Sequence, residues 1–452
     1  MALALCAVMF LVYSSLGLLR HFSLETNGFD LSVFDYALWS TAAGHGTAYV
    51  PMFGYSLFAQ HAMPTLLLLS PLAVVFGAPV YLIVVQTACF VIAAYLLFLF
   101  ARPHVPRGMA FALLLMFLLG RRPYSAATSY FYIESAEPML VLGLLLAWRR
   151  RRMVAYWILI ALALGCKEDV ALYVIMFGLF LALVKRESLL GSLTAAVAAA
   201  WLATALLVWI PHWRAAYALP AANPFVLENY GLARVDGAAL AILLGRLLSR
   251  WSVARLFTLA SATGFLCVLS PLWLTIAVPG MLVNLATIPG KGQSGLGGHY
   301  LWAVLPWIFA AAVFGGSRLN TREWKWLPVI VFIIAVADTP LPRTILQRPW
   351  RTVAAAAAVR SQLQALDDRS LSGELFAQPN LIPHLPARQL HVHGLDATPR
   401  EYAIGDTVLL TKIGDLWPLD VSGVDAQLQR FHADPQFEQL SNGPLFAFRR
   451  IK

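Results

Sequence analysis

Charge is what this chain has least of. Only 12% of its 452 residues are charged, against about a quarter in soluble globular chains, while 60% are hydrophobic and the mean hydropathy is +0.70. That balance excludes a soluble fold and implies a polytopic membrane protein. Cysteine is scarce too: Cys6, Cys89, Cys166 and Cys267 lie within or at the ends of apolar segments, with no CxxC spacing to suggest a metal or redox pair. They read as small membrane hydrophobes. P-loop, GxSxG and HExxH patterns are absent, so a soluble-type nucleotide site is not indicated. No internal repeat is visible, which weakens a transporter reading.

What charge there is has a pattern. The formal net charge is +10, but the basic residues gather in short clusters between apolar runs, at Arg149 to Arg152, Lys185-Arg186, and Arg318, Arg322 and Lys325. Such clusters mark cytoplasmic loops and not a nucleic-acid surface. Ala2 to Leu19 lacks a basic n-region and is long enough to span, so it is expected to be the first transmembrane helix, with the N-terminus inside. Residues 20–79 then form a long outer loop in which Thr65 to Phe76, too short for a bilayer core, reads as a re-entrant or interfacial helix. Val80 to Ala101 spans, Met109 to Gly120 returns, and a second outer loop from Arg121 to Pro138 carries Glu134 and Glu137. The remaining apolar runs bring the expected total to about eleven spanning helices, which places the C-terminus outside. Ala238 to Arg255 reads as a basic amphipathic surface helix.

The composition changes near Pro340. Residues 1–339 are expected to form the membrane domain and residues 340–452 a small extracytoplasmic α/β domain. Helices are expected over Thr352 to Leu366 and Val424 to His432, and strands over Glu374 to Ala377, Gln389 to His393, Thr407 to Leu410 and Pro444 to Phe448.

The candidates for chemistry cluster on the outer side. Asp30 and Asp35 follow the first helix within Asn27 to Ser40; if that stretch is helical they lie roughly 140° apart around the axis and do not face each other. Asp30 is either the N-cap of an amphipathic helix or a base. Glu134 and Glu137 share a face at i, i+3. Lys167, Glu168 and Asp169 form a charged turn that either lines a polar pathway or pairs locally. His61, ahead of Pro64, and His299, beside Tyr300 and a glycine-rich loop with Lys291, are structural residues or ligands. Arg246, Arg250, Arg255 and Lys291 serve either an anionic ligand or lipid headgroups. His391 and His393 alternate onto one strand face, which is weak evidence for a metal.

The runs Gly28 to Trp39, His61 to Pro71, Lys167-Glu168-Asp169 and His299-Tyr300 resemble a widespread family of uncharacterised polytopic membrane proteins, similar in turn to a distant branch of the GT-C glycosyltransferases. The resemblance implies sugar transfer from a polyprenyl-phosphate donor at the outer face of the cytoplasmic membrane. It places Asp30 as general base, Asp35 as alternate, and Glu134 as the second-loop acid. The paired Asp-Glu or Asp-x-Asp signature of many GT-C members is absent; no cofactor is firmly implied, and a divalent metal stays open. The expected partners are membrane lipid and the lipid-linked sugar, with no nucleic acid. The competing expectations are a transporter or lipid-handling protein, and a non-catalytic scaffold.

Overall fold

The computed structural model describes residues 1–26, 28–77, 79–128, 130–221, 228–232, 237–290, 292–319, 325–337, 339–346, 350–366, 373–396 and 400–452. Among these, four helices are long and apolar enough to cross a membrane: α1 (Ala2–Phe22), α4 (Val80–Ala101), the continuous helix over Ser188–Ala216, and Gly298–Gly316. The helices α2 (Val33–Ala42) and α3 (Ser70–Val75) lie between α1 and α4. Shorter apolar helices surround the long ones, among them α5 (Arg107–Leu119), α8 (Met153–Leu164) and α9 (Val170–Leu183). Two more, α6 (Arg121–Ala127) and α7 (Glu137–Arg149), fall within and after the expected second loop, flanking 130–136.

Fewer helices are long and unbroken than the eleven spans expected, because polar turns and prolines interrupt the apolar runs. The stretch expected as one surface helix from Ala238 to Arg255 is two helices, Gly237–Leu247 and Arg250–Ser261, bent by 47°. The break has a local cause: the Ser249 hydroxyl accepts from the backbone N–H of Ser252 and starts the second helix afresh.

Close packing comes from small residues. On α9, a methyl group added at Gly178 would stand 2.5 Å from the backbone nitrogen of Ala195, and one at Gly191 would stand 2.4 Å from that of Ala182. The two helices therefore cross backbone to backbone, as small-residue stripes allow in a bilayer. Outward-facing leucines and valines such as Leu3, Val8, Leu11, Leu206 and Leu207 stay exposed, as expected of surface that meets lipid.

Strands β1 (Tyr49–Val50) and β2 (Tyr55–Ser56) pair as a short antiparallel hairpin between α2 and α3, and the tail forms a five-stranded sheet in the order β4 (Val392–Gly394), β3 (Leu375–Ala377), β5 (Thr407–Thr411), β7 (Leu445–Arg450), β6 (Phe437–Ser441). The β3 strand runs parallel to β4 and β5, and β7 is antiparallel to β5 and β6. Alternation sorts the side chains. Phe376, Val408, Leu410 and Phe448 pack on Val424, Leu428 and Phe431 of the helix Val421–Ala433. Leu375, Ala377, Leu409 and Ala447 face the other way, onto Ala356, Val359 and Leu363 of the helix Trp350–Gln364. Leu24 and Tyr36, between α1 and α3, belong to that second core. The tail and the segment that follows α1 thus share buried surface.

Candidate active site

Asp30 lies inside a π-helical turn, Gly28–Ser32, that leads into α2. It sits within the turn, not ahead of it, so the N-cap reading does not hold. The tail pins this turn from one side. The Gly28 N–H donates to the Pro379 carbonyl at 2.7 Å, and the Phe29 ring meets Trp417 edge-on at 5.4 Å. Asp30 itself is half-buried and accepts a hydrogen bond from the Tyr132 hydroxyl. Burial raises its carboxyl above the ordinary carboxylate range; the Tyr132 hydrogen bond opposes that shift and the nearby charge of Asp415 adds to it.

Tyr132 belongs to the second outer loop and is held by Phe34, whose ring meets it at 5.3 Å. Its ring also stacks on His299 at 3.8 Å, and His299 contacts Tyr300 at 3.8 Å. Lys167 stands over the Tyr300 ring at 5.9 Å and pairs with Glu134 at 3.0 Å. Burial opposes the charge of Lys167, yet Glu134, Asp169 and Glu168 together hold its pKa well above the usual lysine value. It is a stable cation. In the same turn Glu168 accepts from His61 Nδ1 at 2.8 Å and from the Ala62 N–H at 3.0 Å. Burial works against its ionisation, but His61 outweighs it with help from Lys167, and Glu168 is held at about 2.

Side chains from five separate stretches of sequence therefore meet. A continuous chain of contacts runs Asp30, Tyr132, His299, Tyr300, Lys167, Glu134, and the His61–Glu168 pair joins it through the turn that carries Lys167. It links a half-buried carboxylate, through a row of contacting rings, to a cation and two imidazoles. That is the equipment for moving one proton and for steadying a developing negative charge.

Asp35 goes elsewhere. Its two oxygens accept a bidentate pair from Arg388 of the tail, at 2.8 and 2.9 Å, with the two side chains only 4% and 11% exposed. The same guanidinium donates to the carbonyls of Ala73 and Phe76. Asp35 is a fastening between tail and first loop, and the expectation of a reserve base is corrected: both its oxygens are occupied. Arg246 is likewise corrected, since it donates to the carbonyls of Tyr230 and Ala286 and braces a loop. Arg250 is exposed at the start of its helix, and Arg255 lies over the Trp251 ring at 4.0 Å. Lys291 lies outside the described residues.

Glu374 accounts for the two strand histidines, standing 3.3 Å from His391 and 2.6 Å from His393. Among the described residues no three His, Cys, Asp or Glu side chains gather so as to hold a metal ion.

Sequence reasoning missed Tyr132 and Arg388. The run Tyr130-Phe131-Tyr132 just ahead of Glu134 was an available signal for the first: two phenols in a loop already suspected of acids. Nothing local marks Arg388, whose role exists only once the tail folds back on α2.

The family model described as "Predicted membrane protein (DUF2079)" matches residues 20–402. No curated protein matches by sequence. Among solved structures, ArnT from Cupriavidus metallidurans bound to undecaprenyl phosphate is similar over 98% of this chain and 97% of that one, with a TM-score of 0.54 and 13% sequence identity. The likeness is one of fold alone, shared by two chains of nearly the same extent.

Proposed function

The chain belongs to the DUF2079 family of predicted membrane proteins, and from that premise we propose that it is a membrane glycosyltransferase. It would move a sugar from a polyprenyl-phosphate donor to an acceptor hydroxyl at the outer face of the cytoplasmic membrane. The observation that carries this reading is the convergence of Asp30 with Tyr132, His299, Tyr300 and Lys167 on a fold it shares with ArnT.

The chemistry follows from the residues. Asp30, ionised, accepts the proton of the acceptor hydroxyl as that oxygen bonds to the anomeric carbon. The bond from the anomeric carbon to the phosphate oxygen breaks, its electrons stay with the lipid phosphate, and the sugar inverts. Lys167 supplies fixed positive charge for that leaving group. Tyr132 keeps Asp30 oriented, and by donating to the carboxylate it favours the ionised form. Asp35 and Arg388 take no part in bond making; they hold the turn that carries Asp30.

The test uses the full chain in proteoliposomes supplied with radiolabelled undecaprenyl-phosphate sugars and a membrane glycolipid extract as acceptor. Transfer of label to the extract with release of undecaprenyl phosphate supports the proposal. Binding or movement of the lipid across the bilayer without loss of its sugar contradicts it and favours a lipid-handling protein.

A further inference from the structure

The end of the molecule opposite Asp30 carries a second feature that the transfer reaction does not use. From its start α1 runs 21 residues to Phe22 beside the Asp30 turn, about 30 Å at 1.5 Å per residue, the thickness of a bilayer core. At its start, a cavity of about 540 Å³ opens between α1, α4 and α5. Its walls are apolar, built from Leu3, Tyr95, Phe98 and Phe111, and its rim holds Arg102 and Arg107. Arg102 is the residue after α4 and Arg107 the first of α5. Arg102 therefore stands where the spanning helix α4 ends, with Arg107 five residues on at the start of α5, and we place both at headgroup height.

Two neighbouring arginines on this face are engaged within the protein. Arg149 donates to the Phe100 carbonyl at 3.2 Å, and Arg151 pairs with Glu187 at 2.7 Å. Among the described residues neither Arg102 nor Arg107 has a carboxylate partner, and no acidic residue lines the cavity. Arg102 lies 6.0 Å over the Phe98 ring, so one wall is shared between the charge and the apolar surface. An occupant that suits both needs a phosphate at one end and hydrocarbon at the other.

We propose that this cavity binds one anionic phospholipid, its phosphate between Arg102 and Arg107 and the upper part of its acyl chains against Leu3, Tyr95, Phe98 and Phe111. Charge complementarity selects the headgroup and the apolar wall selects a lipid over a free anion; basic pockets between helices at a membrane face bind anionic headgroups in this way. The site is independent of the transferase reading and stands or falls without it.

Native mass spectrometry of the full chain released from nanodiscs of equal phosphatidylglycerol and phosphatidylcholine tests the proposal. The expected result is one retained phosphatidylglycerol per chain, preferred over phosphatidylcholine by about 30-fold, the factor two interfacial arginines supply. The double variant Arg102→Gln/Arg107→Gln loses that preference, Arg102→Lys/Arg107→Lys keeps most of it, and the control Arg150→Gln/Arg152→Gln, on the same face outside the cavity, keeps all of it. Thermal unfolding confirms that each variant is folded. Equal retention of the two lipids, an equal loss in the control, or displacement of the lipid by millimolar inorganic phosphate would each overturn the proposal.

Discussion

Asp30 and Asp35 sit five residues apart on one connected pair of helical turns, yet they live in opposite surroundings. Asp35 is sealed, both oxygens held by Arg388 and only 4% of the side chain exposed. Asp30 is half-buried and shares one oxygen with the Tyr132 phenol, whose ring stacks on His299. A buried carboxylate whose two oxygens are both held by a guanidinium is a fastening, and one held by a single neutral donor can still take a proton. The difference follows from helix geometry, since five residues turn the chain far enough to aim one acid at the tail and the other at the membrane body.

The comparison breaks most sharply in rate. Asp30→Asn is expected to lower sugar transfer by about 10²–10⁴-fold, the usual contribution of a general base, with little change in thermal unfolding. Asp35→Asn should do the reverse, and transfer per folded molecule measures it; equal rate losses in both would erase the distinction. Arg388→Ala leaves Asp35 buried without its partner and should cost about 3–5 kcal/mol, as such half-broken pairs do, read as a lower unfolding temperature in detergent and faster proteolysis of the tail. Replacing both partners, Asp35→Leu with Arg388→Met, should recover much of that loss. Lys167→Met should reduce kcat by about 10²-fold if it stabilises the leaving phosphate, and it should leave the Asp35–Arg388 end untouched.

The smallest expected effect is on pH. Only ionised Asp30 is active, so transfer is full at high pH and falls as pH drops through the carboxyl's pKa, which burial raises above the ordinary 3.8. Tyr132 opposes that rise. Tyr132→Phe should therefore move the acid limb of kcat/KM to higher pH, whereas Tyr36→Phe, whose hydroxyl accepts from the Gln389 N–H in the tail interface, should leave the limb in place.

Much of the fold was legible because its signals are local. Apolar runs and basic clusters identified the membrane body, and short strand-like runs in the tail, one of them alternating, located four of its five sheet strands; β6 was missed because Phe437–Ser441 is largely polar and none of it is buried. The site was legible in its charged members, since Asp30, Lys167, Glu168 and Glu134 are conspicuous in a chain with so little charge. Their partners were not. Tyr132 is one aromatic among many, and Arg388 acquires meaning only across 353 residues of separation. The break within 237–261 was hidden as well, because Ser249 caps a helix only once the chain has turned there.

The most direct test of the central claim is an experimental structure of the chain with undecaprenyl phosphate bound. The account predicts the phosphate at the Asp30 cluster, with an oxygen within hydrogen-bond reach of Lys167 Nζ and the Asp30 carboxylate facing the space above it. A phosphate seated away from Lys167 and His299, with Asp30 still closed against Tyr132, would contradict it.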